Sequence, residues 1–189
     1  MPLNHAILAF LDFEPMTGYD LKKYFDISVT HFWSATQSHI YKSLDKLKKN
    51  GWTESQVIQQ EGRPNRKEHH ITPDGQAELR RWLTTSLPLE PIRHAWLIQV
   101  FFSHFSSDEE IVNLLSQRIA EIREIITTFK EEAQPAIDAN AERVGVARAQ
   151  ELWQMTLDYG LNNYEAELAW LEKTLERVRS LSPLMPPGS

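Results

Sequence analysis

The stretch from Ser34 to Thr72 constrains the fold more than any other part of this chain. Its first half predicts a helix, because Ile40, Leu44 and Leu47 recur at the spacing of one helical face. Gly51 follows the last turn, where a left-handed cap is common. The opposite face of the helix is small, polar and basic. Its members are Ala35, Ser38, His39, Lys42, Lys46 and Lys49.

The second half of the stretch predicts a hairpin. Residues 52–60 lack a helical stripe, residues 61–65 combine Gly, Pro and Asn as turns do, and residues 66–71 return. Basic charge is concentrated near the tip, at Arg63, Arg66 and Lys67. A basic helix followed by a hairpin with a basic tip is the arrangement that a winged helix uses on double-stranded DNA. The helix enters the major groove, and the tip touches the backbone or the minor groove.

The rest of residues 1–84 completes this domain. Thr17 with Asp20, and Ser34 with Gln37, have the spacing of capping boxes at two helix starts. The run from Thr72 predicts a fourth helix, since a capping residue is followed by proline and an acid. The order helix, helix, helix, strand, strand, helix predicts an N-terminal winged helix-turn-helix with a two-stranded wing.

Long helices dominate residues 85–181. Residues 92–105 are apolar nearly all round, which predicts a buried helix. A long helix follows from Ser107 and is interrupted at Pro135, and a last helix spans residues 147–181. Residues 182–189, with three prolines, are expected to form a flexible tail. The fold class is therefore mainly α, with a C-terminal helical dimerisation domain after the winged helix.

The last helix carries a heptad seam over three repeats. Its members are Leu157, Leu161, Tyr164, Leu168, Leu171, Leu175 and Val178. Such a seam pairs either with another helix of its own chain or with a second chain. We favour dimerisation because of its length, and a two-fold homodimer would set two reading helices on successive turns of a duplex.

The net charge of −6 argues against nucleic acid only until its distribution is considered. Residues 1–84 hold 11 basic and 10 acidic residues, whereas residues 85–189 hold 9 and 16. Within residues 36–67 there are 7 basic and 3 acidic residues. Local potential governs phosphate contact, so a basic reading element on an acidic chain remains compatible with DNA.

Several other classes of function lack their motifs. The chain has no cysteine, hence neither a disulfide nor a thiolate site, and this fits a reducing cytoplasm. His69 and His70 point to opposite faces of a strand, so no metal site is expected there. No phosphate-binding glycine loop or nucleophile elbow is present, and no apolar run is long enough to span a membrane. We expect no enzyme activity and no cofactor.

Three segments together resemble the PadR family of bacterial transcriptional regulators. They are LNHAILAFLDFEPMTGYDLKKYF, SHIYKSLDKLKKNGW and EGRPNRKEHHITPDGQAEL. The helical second half resembles the larger PadR subgroup, whose C-terminal helices dimerise. The chain departs from the family at His69, where an aromatic residue, most often tyrosine, is usual.

The resemblance implies a homodimeric repressor that binds a palindromic operator and is released by a small aromatic or phenolic effector. It places Tyr19, Tyr41 and Ser38 near phosphates, and Ser38, His39 and Lys42 near bases. Weak candidates for effector contact in the second half are Arg93, Trp96 and Trp153. The alternative function is a winged-helix protein-interaction adaptor, which has no need of a basic outer face and a basic wing tip.

Overall fold

The computed structural model describes residues 2–29, 32–59, 65–89, 91 and 93–181. The chain divides into two compact units. One comprises the residues up to Pro88 with the short segment Glu142–Gly145, and the other comprises Leu89–Ala141 and the residues from Val146 onward. The division into a DNA-binding and a dimerisation domain stays a prediction.

The first unit contains four helices and a two-stranded sheet among its described residues, in the predicted order. They are α1 (Pro2–Phe13), α2 (Gly18–Ser28), α3 (Gln37–Lys49), β1 (Thr53–Ile58), β2 (Arg66–Ile71) and α4 (Pro73–Leu83). One apolar core joins α1 to α4, and its fully buried members include Ile7, Leu21, Phe25, Ile40 and Leu44.

The predicted capping box at the start of α2 is present. Thr17 Oγ1 accepts a hydrogen bond from Asp20 N at 3.1 Å, and Asp20 Oδ2 accepts one from Thr17 N at 3.2 Å. The start of α3 was misplaced in the sequence analysis. Thr36, rather than Ser34, is the N-cap residue, and its hydroxyl accepts a hydrogen bond from His39 N at 3.3 Å. Ser34 and Thr36 both carry a hydroxyl group that can cap a helix, and only the backbone conformation decides which of them does so.

The wing is anchored to the body by a second backbone pairing, which the sequence did not predict. β1 and β2 pair antiparallel, with Thr53 opposite Ile71 and Ile58 opposite Arg66. On its other side β2 pairs with Met16, which donates to His69 O at 3.2 Å and accepts from His69 N at 2.8 Å. The segment before α2 thereby fixes the root of β2.

A buried polar cluster fastens α1 to α4. His5 is 4% exposed, stacks on Trp82 at 4.5 Å between ring centroids, and lies 2.9 Å from Glu78 Oε1. Arg81 donates to both carboxylate oxygens of Glu78. The hydrogen bonds from Arg81 and then from His5 lower the pKa of Glu78 to about 2.

The second unit is built from helices in its described residues. They are α5 (Ala95–Phe101), a 3₁₀ turn (Ser103–Phe105), α6 (Asp108–Thr128), a π turn (Phe129–Ala133), α7 (Gln134–Val144) and α8 (Ala147–Arg179). The end of α7, from Glu142, is grouped with the first unit. Ser107 and Glu110 form a capping box at the start of α6, as predicted. Pro135 does not end the helical path; the helix widens into the π turn, because proline offers no N–H and its ring clashes with the carbonyl four residues earlier.

The heptad seam of α8 packs against its own chain, rather than only against a second copy as the sequence analysis favours. Leu171 is fully buried against α6 residues such as Leu115 and Ile122, and Leu157 is fully buried beside Phe129. Leu168, Leu175 and Val178 pack on the first of these two clusters, Leu161 packs on the second, and Tyr164 packs on both. The seam is thus the inner face of a helix pair. Leu157 and Leu171 are fully buried within the chain and are unavailable to a second copy, whereas a dimerisation role for the partly buried members stays a prediction.

The prediction of a buried helix over residues 92–105 is wrong for the single chain. No described residue of α5 or of the 3₁₀ turn is buried. Ile98, Phe101 and Phe105 are 62%, 77% and 83% exposed. The apolar character is real, but the described part of the chain leaves these three side chains largely uncovered. No helix among the described residues is long and apolar enough to cross a membrane.

Candidate nucleic-acid interface

The outward face of α3 displays the polar and basic residues that the sequence pattern selected. Ala35, which was assigned to the same face, instead precedes α3 and packs against the core. Ile40, Ser43, Leu44 and Leu47 point into the core of the first unit. The remaining side chains of the helix are exposed, among them Ser38, His39, Tyr41, Lys42 and Lys46. Lys48 and Lys49 lie in the last turn, where cations favour the negative end of the helix dipole.

Tyr41 is seated on the first turn of α2, and Gly18 makes this contact possible. A Cβ atom at Gly18 would lie 2.6 Å from Tyr41 Cε1 and 2.7 Å from Cζ, closer than two carbon atoms can approach. Tyr41 is nevertheless 45% exposed, and neighbouring Tyr19 is 67% exposed. Both tyrosines can present hydroxyl donors to a phosphate.

A cleft of about 330 Å³ lies between α2, α3 and the wing. Tyr41 and Lys67 are on its wall, so it joins a predicted helix contact to a predicted wing contact. The residues lining it are Thr17, Gly18, Tyr41, Leu44, Asp45, Asn65, Arg66, Lys67 and His69. A concave surface with tyrosine and lysine side chains on its wall is suited to a sugar–phosphate backbone.

Two of the three predicted basic residues of the wing are among the described residues. Lys67 is exposed at the second position of β2. Arg66 is paired with two carboxylates. Its Nη2 atom lies 2.8 Å from Asp20 Oδ2, and its Nε atom lies 3.1 Å from Glu68 Oε1. Arg63 lies outside the described residues, so its predicted phosphate contact stays a prediction.

His69 is a buried, neutral residue at the root of the wing. It is 4% exposed, and a hydrogen bond of 3.2 Å joins its Nδ1 to Ser55 Oγ. Burial, with smaller contributions from Lys67 and Lys48, lowers the pKa of His69 to about 4. The described residues contain no group of three or more potential metal ligands, at His69 or elsewhere.

The low pKa of His69 predicts a loss of stability in mild acid. The unfolded chain takes up this proton near pH 6.5 and the folded chain only near pH 4, so folding becomes less favourable as the pH falls through that window. Lowering the pH from 7 to 4.5 should therefore reduce the free energy of unfolding by roughly 2 kcal/mol through this residue. Urea unfolding should show that His69→Gln flattens the pH dependence by this amount. His39→Gln, which removes an exposed histidine, should leave it as in the wild type; equal slopes for all three proteins would refute the assignment.

Comparison with known families decides what kind of domain presents this surface. Residues 7–81 match the transcriptional regulator PadR-like family, and residues 92–179 match the virulence activator alpha C-term family. The chain carries a PadR-like domain. This domain includes the core of the first unit, all of α3 and the wing, and the expected family resemblance is confirmed.

Individual relatives support the same assignment. A probable transcriptional regulator of Mycobacterium tuberculosis is 41% identical over 93 residues, which cover 49% of this chain and only 48% of that relative. The negative transcriptional regulator PadR of Bacillus subtilis is 26% identical over 181 residues, covering 93% of this chain and 97% of that protein.

Solved PadR-like structures have the same fold. A PadR-like regulator of Bacillus cereus superposes with a TM-score of 0.73 at 26% identity, over 94% of this chain and 96% of its own. Bacillus subtilis PadR in complex with operator DNA superposes with a TM-score of 0.76 at 23% identity, covering 94% and 99%. The virulence activator AphA of Vibrio cholerae gives 0.73 at 24%, covering 95% and 99%. The predicted fold class, a winged helix followed by a helical region, is confirmed.

The effector candidates of the second unit do not converge. Trp96 packs on the Leu115–Leu171 cluster, with Arg118 stacked 4.4 Å above its ring, whereas Trp153 packs on the cluster around Phe129. Arg93 is exposed in the segment before α5. The structure therefore gives these residues separate surroundings, and an effector site built from all three stays a prediction.

The PadR-like domain also contains functional positions that sequence reasoning missed. Met16 pairs with β2, Gly18 accommodates Tyr41, and Asp20 binds Arg66 in addition to capping α2. The TGYDL motif contains two of these three residues. A glycine directly after an N-cap threonine is unusual, and this was the sequence signal that could have indicated a close contact at Gly18.

Proposed function

We propose that the chain is a DNA-binding transcriptional regulator that acts as a homodimer on a palindromic operator. The observation that carries this proposal is the outward face of α3, polar and basic, beside an exposed wing in a PadR-like domain. In this proposal Ser38, His39 and Lys42 face the bases, and Tyr19, Tyr41, Lys46 and Lys67 contact the backbone, with Arg63 at the wing tip.

Repression with release by a small effector is the regulatory mode that we propose. Bacillus subtilis PadR, a negative regulator of similar fold, has been crystallised with operator DNA and with p-coumaric acid. Phenolic acids are therefore the first effectors to test on this chain. Arg93, Trp96 and Trp153 are the candidate contacts, each to be tested by itself because they lie in different surroundings.

The homodimer is supported by the uncovered apolar surface of the second unit. We call Leu97, Ile98, Phe101, Phe102 and Phe105 the α5 patch; all five are at least 38% exposed in the single chain. Contiguous apolar side chains of this size are rarely left in water by a soluble protein. A second copy is the simplest cover, and two-fold pairing would present two α3 helices to one operator.

The experiment that tests the function is fluorescence anisotropy across a salt series. One duplex is taken from the DNA upstream of the protein's own gene, and a scrambled duplex is the control. A steep salt dependence with a large preference for the first duplex supports operator recognition. Equal and weak binding to both would refute it and would favour the adaptor function.

Lys42→Ala is the sharpest single change to the reading face. Loss of a base contact by this exposed lysine should weaken operator binding about 10-fold, with a smaller effect on scrambled DNA. Lys173→Ala removes the same charge from an exposed position on α8 and should leave both affinities unchanged. If the two variants bind alike, α3 does not read the operator as proposed.

A further inference from the structure

Arg66 occupies a wing position that suits phosphate contact, yet its guanidinium is already paired. The Nη2 atom of Arg66 lies 2.8 Å from Asp20 Oδ2, and its Nε atom lies 3.1 Å from Glu68 Oε1. One cation between two carboxylates leaves a local net charge of −1. A phosphate arriving here would meet that negative charge rather than a free cation, so direct contact is disfavoured.

Asp20 is held as firmly as its partner. Its Oδ2 accepts hydrogen bonds from Thr17 N at 3.2 Å, from Thr17 Oγ1 at 2.8 Å and from Arg66 Nη2 at 2.8 Å. The first two bonds fix the carboxylate in the first turn of α2. Asp20 is therefore a rigid point on the body of the domain, and Arg66 connects the first residue of β2 to it.

The ion pair lies close to the other attachment of the wing. His69, three residues along β2, exchanges two backbone hydrogen bonds with Met16, just before the α2 cap. Two attachments at different points of β2 restrain the direction of the strand, whereas a single one would leave it free to swing. Both sit beside the cleft formed with Tyr41 and Lys67.

We propose that Asp20 and Arg66 are positioning residues that set the direction of the wing, and that Arg66 acts on DNA through the wing instead of contacting phosphate. The inference rests on the proposed DNA-binding function. In the free protein the pair preorganises the wing beside α3, so that binding does not have to order it. Among the described residues of the wing, Lys67 is left as the direct contact.

Two substitutions give opposite results for a positioning residue and a phosphate contact. Asp20→Asn removes a negative charge near the backbone, and electrostatics alone predicts tighter binding; loss of positioning predicts about 5-fold weaker binding. Arg66→Lys keeps the charge and would still serve a phosphate, but a lysine lacks the fork that spans Asp20 and Glu68. We expect it to bind as weakly as Arg66→Ala.

The matched control is Asp45→Asn, which removes the same charge from another wall of the same cleft without touching Arg66. It should bind operator as tightly as the wild type or more tightly. The inference is overturned if Asp20→Asn behaves like Asp45→Asn, or if Arg66→Lys binds like the wild type. Since Asp20 also caps α2, Arg66→Lys decides the matter if Asp20→Asn fails to fold.

A measurement without DNA separates this inference from the proposed function. Amide hydrogen exchange in the free protein should speed up about 3-fold or more at residues 66–71 in Asp20→Asn and Arg66→Lys, but not in Asp45→Asn. Unchanged exchange would overturn the positioning role even if the protein binds DNA. Faster exchange in a protein that binds no duplex would support the positioning role while refuting the proposed function.

Discussion

Replacing Phe101 and Phe105 by aspartate together should convert the proposed homodimer to monomers. Both side chains are more than three-quarters exposed in the single chain, so the fold of the second unit does not depend on them. In a dimer that covers the α5 patch, each substitution removes an aromatic contact and buries an unpaired carboxylate. Light scattering at micromolar concentration should report half the wild-type mass, with an unchanged far-UV circular dichroism spectrum.

The same double variant should lose operator binding, by about 100-fold or more. A dimer binds the second half-site at a high effective concentration, and a monomer does not. Leu89→Asp is the control, because Leu89 is fully exposed but lies outside the α5 patch; it should remain dimeric. A double variant that keeps the wild-type mass would show that the patch is not the interface. Leu171→Asp, by contrast, should unfold the second unit, because Leu171 is fully buried against α6.

Gly75→Ala should destabilise the first unit by several kcal/mol, although alanine normally stabilises a helix relative to glycine by about 1 kcal/mol. Gly75 is in the first turn of α4, and an added Cβ would lie 2.1 Å from Trp52 O and 3.0 Å from Trp52 C. That carbonyl cannot move away freely, because it accepts a hydrogen bond from Thr72 N at 3.0 Å. The strand start and the helix start would have to separate.

Urea unfolding of Gly75→Ala measures this effect, and Gly51→Ala supplies the comparison. Gly51 has a φ of +73° with no atom within 4 Å of an added Cβ, so its substitution costs only left-handed strain, about 1 kcal/mol. The argument from close contact requires Gly75→Ala to be clearly the worse of the two. A Gly75→Ala protein as stable as the wild type would mean that α4 packs less tightly on Trp52 than the distances indicate.

Local sequence patterns were sufficient for the order of elements in the first unit. The stripe of Ile40, Leu44 and Leu47 is buried as predicted, and residues 66–71 form β2 with the predicted bounds. Thr17 and Ser107 cap their helices with the partners that the spacing indicated. These features depend on residues within one or two turns of each other, so the sequence contains all that is needed to infer them.

The candidate interface was only partly accessible to the same reasoning. Exposure of His39 and Lys42 follows from the helical period, and the structure agrees. The pairing of Arg66 with Asp20 joins residues 46 positions apart, and the seat of Tyr41 on Gly18 depends on how closely two helices approach. Helical and strand periodicity carry no information about such distances. From the sequence alone, a basic residue of a wing is therefore predicted to be a free cation, and only the structure shows which groups it is paired with.

The sequence by itself determined which faces are apolar, where α2, α4 and α6 start, and that basic charge gathers on one helix and one hairpin. Only the tertiary structure decided what covers each apolar face. The seam of α8 packs on its own α6, while the α5 patch, predicted to be buried, stays exposed in the single chain. The physical reason is that hydrophobic attraction is not directional: a stripe of leucines specifies burial, but it does not specify the partner.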